Sequence, residues 1–154
     1  GPGIVALCYE GLPWFTGAAV MTQSFPNLNI VLIAALYAIG AHGIMTLNDF
    51  KALKGDRQTG INSLPVKFGP HKAAKIACWV MIAPQVLVIM LMANWGAFAN
   101  ALVISCLLIG QFVAMRKLLK DPLKFAPWYN ATGVLMFVLG MMVCAFGLRN
   151  LGAF

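Results

Sequence analysis

Two carboxylates, Asp49 and Asp56, stand seven residues apart in the segment Asn48-Asp49-Phe50-Lys51-Ala52-Leu53-Lys54-Gly55-Asp56-Arg57-Gln58-Thr59-Gly60. On a helix that spacing is two turns with about 20° of drift, so both side chains leave one face. Asn48 adjoins that face. Two carboxylates and an amide oxygen form a hard-oxygen donor set of the kind that suits Mg²⁺, which takes one or two carboxylates and completes its shell with water and substrate phosphates. Lys51, Arg57 and Lys67 lie close enough in sequence to pair with phosphate oxygens. The plainer reading of the same segment is a solvated loop whose interleaved Lys, Arg and Asp serve only topology. Against it stands the scarcity of acids. The chain has four Asp and Glu in all, and two of them take this spacing beside an asparagine at the end of a long apolar run, where an acid tends to have a purpose.

The elements that must position these groups follow from composition. Of 154 residues, 61% are hydrophobic and 10% charged, with a mean hydropathy of +0.84. A soluble domain carries roughly a quarter charged residues, so a soluble enzyme or a nucleic-acid binder is excluded despite the net charge of +7. The apolar runs are continuous and lack period-two alternation, which excludes a barrel. The expected fold class is an all-α integral membrane protein, a transmembrane helical bundle. Each span takes about 20 residues, so four or five fit, at 28–47, 76–94, 97–115 and 128–148, with 11–24 as an uncertain fifth. That fifth stretch, with Pro13 near its start and Glu10 just ahead, reads either as the end of a span entering from earlier sequence or as a kinked helix. Gly133, Gly140 and Gly147 repeat every seven residues and read as a packing stripe.

Charge fixes the expected orientation. Six of the eleven basic residues fall in 49–75 and four more in 116–124, two segments separated by a helical hairpin and hence on one face. By the positive-inside rule that face is cytoplasmic, and the uncharged turns near Pro26 and Trp95 lie opposite. Cys8, Cys78, Cys106 and Cys144 are far apart, form no CxxC pair and read as buried small hydrophobes. The chain opens Gly1-Pro2-Gly3, without methionine or a cleavage-type leader, and is expected to be part of a longer protein.

Several blocks together resemble a known family. Asn48-Asp49-Phe50-Lys51, Gly55-Asp56-Arg57-Gln58-Thr59-Gly60 and Ser63-Leu64-Pro65-Val66 resemble the second aspartate-rich motif of the UbiA superfamily of intramembrane prenyltransferases. They are most similar to its chlorophyll and bacteriochlorophyll synthase branch. Cys8-Tyr9-Glu10-Gly11-Leu12-Pro13-Trp14, Ile39-Gly40-Ala41-His42-Gly43-Ile44-Met45-Thr46 and Ala126-Pro127-Trp128-Tyr129-Asn130-Ala131-Thr132-Gly133 fit the same branch, so the resemblance spans essentially the whole chain. The His42 block and the Trp128-Tyr129-Asn130 block favour the bacterial enzymes of that branch.

The resemblance implies a bundle of about nine helices, each of about 20 residues, with two aspartate-rich cytoplasmic motifs facing one cavity. It implies transfer of a geranylgeranyl or phytyl group from its diphosphate to the C17 propionate of bacteriochlorophyllide a, with Mg²⁺ as cofactor. Asp49 and Asp56 would then be the catalytic metal ligands, supported by Asn48, and Lys51, Arg57 and Lys67 would hold the diphosphate. Where the motif carries acids at its first, fourth and eighth positions, this chain reads Asp49, Ala52 and Asp56, so two carboxylates replace three. No first aspartate-rich motif is present, and the 154 residues correspond to the C-terminal half, expected to be inactive alone.

Four more residues each carry two readings. His42 could bind pigment through the one axial position of a bacteriochlorin's magnesium, or simply hydrogen-bond to a neighbouring helix. Glu10 could orient substrate or be a helix-end carboxylate, while Tyr129 and Asn130 read as cavity-rim residues or as interfacial anchors. The implied setting is a bacterial inner or intracytoplasmic photosynthetic membrane, with lipids and possible photosynthetic pigment–protein complexes as partners and no nucleic acid. The alternative is a catalytically incomplete relative serving such a complex as a pigment- or lipid-associated subunit. A transporter is disfavoured, since no inverted repeat or mid-membrane acid is visible.

Overall fold

In lipid every backbone N–H and C=O must be satisfied within its own segment, and long apolar runs therefore become helices. The computed structural model describes residues 2–153. Helix α1 (Pro2–Ala6), a π-helical turn (Leu7–Gly11) and α2 (Leu12–Thr22) form one unbroken rod, because the residues at both joints stay right-handed helical. Pro13 accounts for the wide turn. In a regular α-helix its ring would press on the carbonyl of Tyr9, four residues back, and the π turn, closed by Leu12 N–H to the Leu7 oxygen, takes up that mismatch. The remaining helices are α3 (Leu28–Thr59), α4 (Leu64–Phe68), α5 (Pro70–Asn94), α6 (Phe98–Leu118) and α7 (Pro122–Asn150).

Five stretches, Gly3–Thr22 together with α3, α5, α6 and α7, are long and apolar enough to cross a membrane. The protein is an all-α integral membrane bundle. The most extensive packing joins α3 to α5 and α6 to α7. Small residues let α3 and α5 approach closely: Ala73, Ala74 and Ala77 of α5 are fully buried, and Gly43 of α3 lies against the Ala77 backbone. The glycine stripe of α7 faces inward, with Gly140 beside Tyr37 and Gln85 and Gly147 beside Met92 and Asn100. Cys78 and Cys144 are buried, whereas Cys8 and Cys106 point outward, against the expectation that all four would be interior.

One polar contact inside the bundle has no counterpart in the apolar pattern of the sequence. Gln85 of α5 and Gln111 of α6, both wholly buried, exchange two amide hydrogen bonds of 3.0 and 2.8 Å. Each satisfies the other where water is absent, which fixes the register of the α5–α6 hairpin.

Candidate active site

Helix α3 has 32 residues, whereas a hydrocarbon core needs about 20. The surplus is its last three turns, which continue past the apolar run and carry both aspartates. Its start is fixed by Asn27, whose side chain accepts the Asn29 N–H at 2.9 Å. Its end is fixed by Gly60, left-handed at φ 73° with its N–H bonded to the Asp56 oxygen. There the chain reverses, and residues 61–68 return alongside the end of α3.

Between that end and the returning segment lies a cavity of about 760 Å³. His42, Asn48, Asp49 and Asp56 line it from α3, and Asn62, Ser63 and Lys67 line it from the returning segment. Its apolar wall includes Val5 of α1, Met45, Leu64 and Phe68. His42, Asp49 and Asp56 thus form one stripe at heptad spacing, all three facing the same space. Asp56 is buried at 9% exposure and Asp49 is half-buried, and the two carboxylates repel each other. Ser63 contributes a buried hydroxyl with no hydrogen-bond partner among the described residues.

The structure separates the other candidates. Lys67 lines the cavity, its ammonium 5.3 Å from the Phe68 ring centroid, whereas Lys51 and Arg57 are exposed and do not line it. Helix phase is the reason: Lys51 lies about 200° round the helix from Asp49, and Arg57 about 100° from Asp56. Asn130 reaches the site indirectly, donating from Nδ2 to Asn48 Oδ1 at 3.0 Å and so tying α7 to α3. Tyr129 is fully buried in the core, its ring over Gly133, rather than on a rim. Glu10 lies half-buried in the π turn and does not line the cavity. Asn62 and Ser63 are the polar residues that spacing alone missed, although the Ser63-Leu64-Pro65-Val66 block already pointed to their segment.

Two carboxylates and one lysine give the lining a net negative charge. Among the described residues no group of three or more His, Cys, Asp or Glu could hold a metal. The donor set nevertheless fits Mg²⁺, whose shell is commonly one or two carboxylates with the rest water and phosphate oxygens. A diphosphate entering this cavity would meet two like charges, which a divalent cation held by Asp49 and Asp56 would offset.

A helical membrane bundle with a paired-carboxylate cavity at a helix end is the class of protein that fold and site define. Residues 3–138 match the UbiA prenyltransferase family, and the chain belongs to that family. It is 62% identical over 151 residues to the bacteriochlorophyll synthase 33 kDa chain of Cereibacter sphaeroides, covering 98% of this chain and 50% of that one. It is 55% identical over 153 residues to the protein of the same description in Rhodobacter capsulatus, covering 97% and 50%. Chloroplastic chlorophyll synthase of Avena sativa is 37% identical over 138 residues, covering 89% and 36%. The chain spans about half the length of the bacterial relatives it matches. No solved structure matches it.

Proposed function

We propose that the whole protein to which this chain belongs transfers a prenyl group, geranylgeranyl or phytyl, from its diphosphate to the C17 propionate of bacteriochlorophyllide a. The observation that carries this reading is the convergence of Asp49, Asp56, Asn48 and Lys67 on one cavity with apolar walls. Asp49 and Asp56, with Asn48 held by Asn130, would hold Mg²⁺. When bound, the cation supplies charge neutralisation to the departing diphosphate.

The chain's own residues do the rest. Lys67 pairs with phosphate oxygens, and the Ser63 hydroxyl donates to another. The apolar wall formed by Val5, Met45, Leu64 and Phe68 keeps water from competing for the allylic carbon. A propionate oxygen forms the new bond to that carbon, and the carbon–oxygen bond to the diphosphate breaks, its electron pair leaving with the diphosphate. Residues 1–154 supply one aspartate-rich segment, so alone they grip the diphosphate from one side and are inactive. The basic segments 49–75 and 116–124 support a cytoplasmic position for this cavity, in a bacterial inner or intracytoplasmic membrane. Lys117, 3.9 Å above the Trp128 ring, anchors that boundary.

The test is esterification by the full-length protein. Asp49→Asn and Asp56→Asn should each lower the rate by about a hundredfold or more, and the double change should add little, because the pair acts as one unit. Lys72→Ala, exposed at the start of α5, should stay near wild type. Equal, mild losses in all three single variants would make the segment a solvated basic face and end the proposal.

A further inference from the structure

His42 is shared by two cavities. Besides the polar one it lines an apolar cavity of about 510 Å³, whose other walls are Leu7 of the π turn, Ala35, Ala38 and Ile39 of α3, Val80 of α5 and Gly3. Among the described lining residues its imidazole is the one side chain able to hydrogen-bond or to ligate. The ring is half-buried, and the hydrogen bonding of the residue runs through its backbone oxygen, which accepts from Thr46 Oγ1 at 3.0 Å. Its ring nitrogens make no hydrogen bond to a described residue, and the one charged group among the described residues that acts on it is the Asp49 carboxylate on the polar side.

A half-buried imidazole without a hydrogen bond, on the wall of an apolar cavity, offers a free ring nitrogen to a ligand that can use it. An isoprenoid chain offers no bond to it, and a phosphate is better served at the carboxylate end. A flat macrocycle with a metal at its centre needs aliphatic surface around its rim and one Lewis base over the metal, the arrangement by which a proximal histidine holds haem. We propose that His42 is the axial ligand of the central magnesium of a bacteriochlorin substrate seated in this apolar cavity. The assignment rests on the prenyl-transfer reading and deepens it by naming how the pigment is held. Asp49 lies seven residues further along α3, about 10 Å at 1.5 Å per residue. Ligation at His42 therefore fixes the macrocycle centre one step from the diphosphate end, with a rim carboxylate directed toward the polar cavity that His42 also lines.

The experiment uses the full-length protein in detergent, titrated with bacteriochlorophyllide a and separately with its metal-free counterpart. Affinity is followed by pigment fluorescence, and magnesium coordination by absorption and resonance Raman spectra. His42→Ala should weaken binding of the magnesium pigment by at least about tenfold, leave binding of the metal-free pigment unchanged, and alter the coordination signature. Added imidazole should restore both affinity and signature in His42→Gly. Unchanged metal-free binding also shows that the variant is folded. An equal loss for both pigments, or an unaltered coordination signature, would overturn the assignment while leaving the prenyl-transfer reading in place. A wild-type protein that binds neither pigment would overturn both.

Discussion

Gly43 is where packing and chemistry meet on one helix. A Cβ built there would intrude on the carbonyl oxygen of Ala77 and stand 2.5 Å from Met81 Cγ, whereas ordinary contacts begin near 3.4 Å. The Met81 side chain can swing aside, but a carbonyl in the α5 backbone cannot. Gly43→Ala therefore forces α3 and α5 apart by about 1 Å, and overpacking of that size costs about 1–3 kcal/mol. The same shift moves His42 and Asp49, the residues one position before and six positions after Gly43. A displacement of about 1 Å at reacting groups can cost about a hundredfold in rate. Thermal unfolding in detergent micelles and the esterification rate of the full-length protein should both fall. Gly17→Ala is the control, since nothing lies within 4 Å of its Cβ position, and it should leave the rate unchanged and stability unchanged or slightly higher, Ala being the better helix former. If Gly43→Ala matched Gly17→Ala in stability and rate, the close α3–α5 approach would not be what positions the site.

Two further outcomes follow from the bundle interior and from the charge pattern. Gln111→Leu removes both interhelical bonds of Gln85, each worth about 0.6–2 kcal/mol, and leaves its Nε2 only the 2.9 Å bond to the Met81 oxygen. Unfolding in micelles should occur earlier, and adding Gln85→Leu should recover part of the loss because the orphaned Gln85 Oε1 is then gone as well. With the outward Cys8 and Cys106 replaced, a cysteine at Gln58 or Leu123 should react with an impermeant thiol reagent only in inside-out vesicles, and one at Asn94 only in right-side-out vesicles. Labelling of Gln58 and Asn94 from the same side would contradict the cytoplasmic placement of the cavity.

Helical periodicity made the centre of the site readable and its edges misleading. Asp49 and Asp56 declare a common face through their seven-residue spacing, and His42, seven residues earlier, falls on the same stripe and lines the same cavity. Lys51 and Arg57 are near those acids along the chain, but an α-helix turns neighbours in sequence onto different faces. Lys67 reaches the cavity because Gly60 reverses the chain, a tertiary event that spacing does not encode. Ser63 arrives by the same reversal. Tyr129 follows an interfacial tryptophan and so resembles an anchor, yet its helix turns it into the core over Gly133. The first rod shows the same limit, since Pro13 marks a break by propensity while the π turn before it keeps the helix continuous. Gln85 and Gln111 were isolated amides in apolar runs, and their pairing became visible only once α5 and α6 were antiparallel neighbours.

The most direct test of the paired-carboxylate site is calorimetric titration of the full-length protein with geranylgeranyl diphosphate, with and without Mg²⁺. Binding should require Mg²⁺ in the wild type. Asp49→Asn and Asp56→Asn should each abolish the magnesium-dependent part, while bacteriochlorophyllide binding, measured in parallel, persists. Wild-type affinity and magnesium dependence in both variants would contradict the claim that Asp49 and Asp56 hold the diphosphate's cation.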